Sequence, residues 1–352
     1  MDAVATQQNG NMQSASAAAG LGLSRRRLLG SAAGLAAAPL LSGIPALLVA
    51  SPAHAPGALL GAKQPTWCRF KLGAFELTMT SDSDAFIPGP FPIVGGNASQ
   101  AEVEQLMRDN LLPPDKYQPG FTPMIVNTGK QLVIFDTGNG AKGFVPRPGG
   151  GWLATQLADS GITPEQIDVV VLSHGHPDHV GGLMEDGKPL FPNARYVIGA
   201  TEYDFWAPEG KFTGEVEKLA SLFRANVVPL AEKITFLKPG DDVVPGIRAR
   251  EAYGHTPGHL VFDIESDGKR MLFWGDCAHH QVASLARPDW HCSFDIDKEQ
   301  GAKTRRRIYE SAAAERVPVS GYHMPFPSIG YVERLDGGGY RWLAHTYQLN
   351  LP

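Results

Sequence analysis

Apolar residues in this chain fall into short runs broken by glycine-rich turns, and from about Trp67 onward the pattern repeats as strand, turn and helix. Residues 69–80 alternate as a strand pair around Gly73. Two apolar runs, 121–128 and 131–136, flank Thr128-Gly129-Lys130 and predict a hairpin. A second hairpin is predicted where 260–265 and 270–274 flank Ser266-Asp267-Gly268-Lys269. The run 168–173 (DVVVLS) is apolar at nearly every position, which predicts a strand buried on both faces. Further strands are expected at 194–198, 247–252 and 317–321. Helical spacing appears at 98–110, with Ser99 as N-cap and Glu102 three residues on, at 151–160 before Gly161, and at 298–316.

The chain thus reads as two halves, each strand-rich first and helix-bearing later. That organisation suits an α/β fold, an αββα sandwich of two mixed β-sheets flanked by helices. No Pro/Ser-rich linker separates the halves, so residues 56–352 are expected to form one domain. Residues 1–55 differ. A polar stretch leads to Arg25-Arg26-Arg27, an Ala/Gly-rich apolar run continues to Ala50, and Ala53-His54-Ala55 follows. Charged, apolar and small-residue regions in that order read as a cleavable signal peptide, and the paired arginines suit the twin-arginine route. The expectation is an exported protein, periplasmic or secreted, with no stable membrane span after processing.

Composition narrows the partners. The net charge of -5 leaves no basic footprint for nucleic acid, and the expected partner is a small-molecule substrate. Three cysteines, Cys68, Cys277 and Cys292, are too few for a disulfide scaffold and read as small buried hydrophobes.

The chemistry concentrates in Ser173-His174-Gly175-His176-Pro177-Asp178-His179, directly after the buried strand. Three imidazoles and a carboxylate are ligands that Zn²⁺ takes. His174 and His176 can converge on one ion, and Asp178 and His179 can face a second. Three more candidates also follow predicted strands: His255 in Gly254-His255-Thr256-Pro257-Gly258-His259, Asp276 in Trp274-Gly275-Asp276, and His323 in Gly321-Tyr322-His323-Met324-Pro325. Strand ends are where α/β folds place their sites. No Gly-x-Ser-x-Gly elbow occurs.

These segments resemble the metallo-β-lactamase superfamily over most of residues 67–352. Within it, HPDHVGGLM, HTPGH and the run from His323 to Gly330 with Gly339-Tyr340-Arg341-Trp342 are similar to the methyl parathion hydrolases, exported organophosphate triesterases. The resemblance implies two divalent metal ions, one on His174, His176 and His255, the other on Asp178, His179 and His323, bridged by Asp276. Zinc is the default, and iron, manganese or cobalt fit the same ligands. Asp136 matches a position that supports a ligand from behind, and Asp178 is placed to orient the attacking hydroxide. Phe144 and Trp206 match aromatic positions of the substrate pocket, and Phe326 is a third choice there. A homodimer is implied as well. His259 is left unassigned. His279 and His280 after Asp276 depart from the family pattern; they read as substrate contacts or, preferred, as a solvent-facing pair.

The same seven ligands suit an N-acyl-homoserine lactonase as well as a triesterase or aryl esterase. A β-lactamase fits less well because those sites generally lack the bridging Asp. A mononuclear iron dioxygenase, or a scaffold that binds metal without catalysis, would leave the seven-ligand set unexplained.

Overall fold

The computed structural model describes residues 63–345 and Leu351. The leader features, Arg25-Arg26 and Ala53-His54-Ala55, lie outside the described residues. Among the described residues no helix is long and apolar enough to cross a membrane.

The strands form two mixed seven-stranded sheets. The first runs in the order Trp67–Leu72, Phe75–Thr80, Met124–Asn127, Leu132–Phe135, Val169–Leu172, Arg195–Gly199, Ile234–Leu237. Its hairpin half is antiparallel, and the half from Leu132–Phe135 onward is parallel. The second runs Asp242–Val244, Ile247–Glu251, Leu260–Ser266, Lys269–Phe273, Val319–Ser320, Ile329–Arg334, Tyr340–Ala344, with a single parallel pair between Lys269–Phe273 and Val319–Ser320.

Side-chain alternation along each strand builds three apolar layers. Val169 and Val171 point into the layer between the sheets, where Phe135 meets Phe262 and Phe273 at ring distances of 5.3 and 4.9 Å. Val170 and Leu172 point the other way, under the helices Leu153–Asp159, Ala200–Trp206 and Gly214–Asn226. The outer face of the second sheet is covered by helix Lys298–Glu315 through Ile308, Tyr309 and Ala312. This is the expected αββα sandwich, and the strand at 168–173 is buried on both faces for the expected reason.

The expected helix at 98–110 spans Gln100–Asp109, closed by the Ser99–Glu102 capping box. Both predicted hairpins are present. Helix Gly214–Asn226 and the strands Ile234–Leu237, Ile329–Arg334 and Tyr340–Ala344 are additions to the sequence reading. Helix Gly214–Asn226 buries Ala220 and Phe223 fully, and its half-buried Val216, Leu219 and Leu222 pack against the same core while lining a cavity. Cys277 and Cys292 are buried and Cys68 is half-buried; all three are free thiols.

Asp82 ties the loop before helix Leu153–Asp159 to the sheet. It accepts from the Asn139 backbone and side chain at 2.7 and 2.9 Å and from Leu153 N at 2.8 Å. Burial still pushes its carboxyl up to about 6, because those bonds recover only part of the lost hydration.

Candidate metal centre

The two sheets bring every strand-end loop of interest to one edge of the sandwich. Strand Val169–Leu172 delivers Ser173 and His174, and Pro177 starts the short helix Pro177–Val180 that carries Asp178 and His179. Gly175 lets this loop lie flat on the core, since a Cβ there would stand 2.5 Å from the Trp206 ring and 2.7 Å from Phe223. His255 and Asp276 follow strands Ile247–Glu251 and Lys269–Phe273, and His323 follows Val319–Ser320.

Three groups that could hold a metal ion result: His174, His176, His255 and Asp276; Asp178, His179, Asp276 and His323; and His255, His279 and Asp295. In each, the ligand atoms lie within 4.8 Å of one another, and Asp276 belongs to the first two. His174 Nε2, His176 Nδ1 and His255 Nε2 form a triangle with sides of 2.9–3.1 Å. The Nε2 atoms of His323 and His255 stand 3.1 and 3.3 Å from Asp276 Oδ2, and His179 Nε2 stands 3.2 Å from Asp276 Oδ1.

Hydrogen bonding behind the rings fixes which nitrogens face inward. Asp136 Oδ2 accepts from Ser173 Oγ and from His179 Nδ1, both at 2.8 Å. Ser173 Oγ, having donated to Asp136, accepts from His174 Nδ1 at 3.0 Å. His255 Nδ1 donates to Asp295 Oδ1 at 2.9 Å, and Arg305 secures Asp295 at 2.8 Å. The Nε2 atoms of His174, His179 and His255 therefore turn lone pairs toward one another and toward the carboxylates. Opposed lone pairs repel at these distances unless a cation lies between them, so the donor set fits metal ions. His179 Nε2 and Asp276 Oδ1 are buried without a hydrogen-bond partner, as ligand atoms would be.

The electrostatics agree. Burial pushes His174 and His176 well below the usual imidazole range, and the neighbouring histidines push in the same direction. For His179 burial acts the same way but is outweighed by Asp276, Asp178 and Asp136, which hold it well above that range. His255 is raised to about 9: burial opposes, and Asp276 and Asp295 prevail. The carboxylates thus favour positive charge at His179 and His255, while burial disfavours it at His174 and His176.

Several supporting residues escape sequence reasoning. Glu202, fully buried, accepts from Gly175 N, Trp206 Nε1, Thr256 Oγ1 and Gly258 N at 2.6–2.9 Å, which ties the two histidine loops together. Tyr322 packs its ring 4.1 Å from His179 and donates to Asp178 O at 2.7 Å. His259 Nδ1 donates to Ala252 O, and its Nε2 accepts from Asp276 N. It thus braces Asp276 from behind.

A cavity of about 1070 Å³ opens over both clusters, lined at the centre by Phe121, Phe144, Phe294 and His279. Phe144 is 42% exposed and lies edge-on to Phe294 at 5.4 Å. Trp206, expected in this wall, is absent from it. It is fully buried, its Nε1 donates to Glu202, and its neighbour Phe205 takes the cavity position. Trp206→Ala is accordingly expected to destabilise the fold by roughly 3–5 kcal/mol, measured by denaturant unfolding, rather than to change substrate affinity alone. Phe326 is half-buried on another side of His323, where it lines a separate cavity of about 250 Å³ with Tyr117 and His280. His279 and His280 are buried, at 2% and 5% exposure, so the expected solvent-facing pair is not found. His280 Nδ1 instead accepts from Val282 N and Ala283 N at the start of helix Ala283–Ala286.

Known proteins resemble this chain. The family model of the metallo-beta-lactamase superfamily matches residues 122–318. The probable metallo-hydrolase YflN of Bacillus subtilis (strain 168) is 32% identical over 121 residues, 32% of this chain and 44% of that protein. An N-acyl homoserine lactonase of Bacillus cereus is 28% identical over 122 residues, 34% of this chain and 42% of that one. The chain thus spans less than half the length of either relative. Among solved structures, AidC, a dizinc quorum-quenching lactonase in complex with a product, superposes with a TM-score of 0.73 at 25% identity, over 80% of this chain and 98% of that chain. The hydrolase AbOPH reaches 0.74 at 26% identity, over 81% and 99%. With more than half its length matched by the family model and the sandwich and histidine clusters in place, the chain belongs to the metallo-beta-lactamase superfamily.

Proposed function

We propose that this chain is a two-metal hydrolase of ester-like bonds, acting on aryl esters or organophosphate triesters. The observation that carries the reading is the pair of clusters sharing Asp276 on the floor of a large cavity with an aromatic wall. His174, His176 and His255 would hold one ion, and Asp178, His179 and His323 the other, with Asp276 between them. Zinc suits this nitrogen and oxygen set, and iron, manganese or cobalt fit it too. Bound there, two such ions would supply Lewis-acid polarisation and a water acidic enough to react at neutral pH.

The residues do the rest. Asp136 and Asp295 hold His179 and His255 in the tautomers that face inward. Asp178 is placed to orient the attacking water. Phe121, Phe144 and Phe294 exclude bulk water and give an aromatic leaving group a surface to pack on.

A lactonase is the second reading, favoured by the likeness to AidC and to the Bacillus cereus lactonase. A hydrolysis screen on zinc-loaded protein separates the two. The first reading expects an aryl triester or aryl ester to be cleaved with higher kcat/KM than any acyl-homoserine lactone. Phe144→Ala should then raise KM for aryl substrates about two- to tenfold, the worth of one lost ring contact, with bound zinc unchanged. A lactone cleaved far faster than every aryl substrate would transfer the function to the lactonase reading.

A further inference from the structure

The large cavity offers more room than one aryl ring fills. Its volume of about 1070 Å³ lies at the upper end of the roughly 300–1,000 Å³ of ligand sites. Besides Phe121, Phe144 and Phe294 it has a second apolar wall, made of Phe205, Phe212, Val216, Leu219 and Leu222. A further part of the substrate can lie there, and the charged side chains around the cavity indicate its chemistry. Four carboxylates line the space, and each is accounted for. Asp178 and Asp276 belong to the clusters that share Asp276. Asp295 is held between His255 Nδ1 and Arg305 at 2.9 and 2.8 Å. Glu215 pairs with Lys218 at 2.6 Å.

The lysines do not balance in the same way. Lys142, Lys211 and Lys298 line the cavity and are exposed, and none of them has a carboxylate partner among the described residues. Two of the three are held against the wall. Lys211 Nζ stands over the Phe205 and Phe212 rings at 4.2 and 5.0 Å and donates to Phe205 O at 3.0 Å. Lys298 Nζ donates to Asp295 O at 3.3 Å. An ammonium has three N–H donors, so each keeps two for a further partner. Lys142 lies two residues before Phe144, in the loop that builds the aromatic wall. In a chain of net charge -5, this excess of positive charge is local to the cavity.

We propose that the substrate carries a second, negatively charged group remote from the scissile bond, and that Lys142, Lys211 and Lys298 select for it. The proposal rests on the hydrolase reading above and narrows it to esters with an anionic arm. A cleft lined by one sign of charge concentrates ligands of the opposite sign, by about tenfold or more at low ionic strength. One exposed ion pair contributes little, so the selection comes from the three lysines together. A lysine ammonium is a compact point charge, and it recognises negative charge rather than a planar shape. The second apolar wall packs the hydrocarbon between the ester and its anionic end. A neutral triester or a neutral acyl-homoserine lactone gains nothing from these lysines.

The test uses matched 4-nitrophenyl esters on zinc-loaded protein. The monoesters of glutaric, pimelic and azelaic acid are compared with the pentanoate, heptanoate and nonanoate esters, in which a methyl group replaces the distal carboxylate. Wild type should prefer the carboxylate member by about tenfold in kcat/KM, through KM, at one or more of the three lengths in low salt. The preference should largely disappear at about 1 M salt, where charges are screened within about 3 Å. Changing Lys142→Met, Lys211→Met and Lys298→Met together keeps apolar stems on exposed positions and should bring the ratio close to one. Lys211→Glu with Lys298→Glu should invert it. Calorimetry with unreactive ligands gives a readout apart from turnover: azelate should bind wild type about tenfold more tightly than nonanoate, and the triple Met variant should bind the two alike. Neutral esters cleaved as well as their carboxylate partners at every length, or a preference that salt or the triple variant leaves unchanged, would overturn this inference alone. A wild type inert toward every ester would overturn the hydrolase reading and this inference with it.

Discussion

For the proposed two-ion site, Asp276→Ala is expected to cost one bound ion and at least about a hundredfold in kcat, the loss typical when one electrostatic element of a preorganised site is removed. Asp276 is the one side chain common to both clusters, 3% exposed, with four histidine Nε2 atoms between 3.1 and 3.7 Å of its Oδ2. Removing it leaves two cations facing each other with no negative charge between them. The His259 ring behind it still accepts from the residue-276 backbone N–H in the variant, so the loop itself is expected to hold. Metal analysis and kcat, measured on the same preparation, check the expectation. Full activity with two ions bound in Asp276→Ala would remove the bridging role.

Glu202→Ala is expected to be the most damaging substitution away from the ligands. Its two oxygens each accept two donors, Gly175 N and Trp206 Nε1 on one, Thr256 Oγ1 and Gly258 N on the other. All four bonds are buried, and burial raises the Glu202 carboxyl above its ordinary range despite them. Alanine would strand four donors at about 1–3 kcal/mol each, so a loss of about 4 kcal/mol or more is expected. That is a large part of the roughly 5–15 kcal/mol that holds a domain folded. Glutamine does not rescue the site, because its NH₂ must face two donors on one side. Denaturant unfolding of Glu202→Ala checks this. A midpoint within measurement error of wild type would show that the two histidine loops do not depend on the link.

The contrast between these residues explains how far the sequence could be read. His174, His176, Asp178 and His179 sit in one short segment, so their purpose is legible without a structure. His255, Asp276 and His323 become legible because each follows a predicted strand. Glu202, Asp295 and Arg305 act across 54, 40 and 10 residues of sequence respectively. No local spacing marks such links, and an acidic residue in a helix reads as a solvated face.

Trp206 fails for a geometric reason. Successive residues on a helix turn by about 100°, so Phe205 faces the cavity while Trp206 turns into the core. His279 and His280 fail because two adjacent polar rings suggest water, whereas the loop after Asp276 folds under the cavity and buries both. In the fold, the buried strands and capped helices were legible from their periods. Helix Gly214–Asn226 was not read from the sequence, although Val216, Leu219, Ala220 and Phe223 lie at helical spacing on the side packed against the core.

Two metal ions sharing one carboxylate are proposed for this fold, and metal stoichiometry on the purified wild-type protein tests that most directly. Stripped of metal and titrated with zinc, the chain should bind two ions at saturation, and hydrolytic activity should appear as the second site fills. Saturation at one ion per chain, or a single bound iron with no second site, would contradict it.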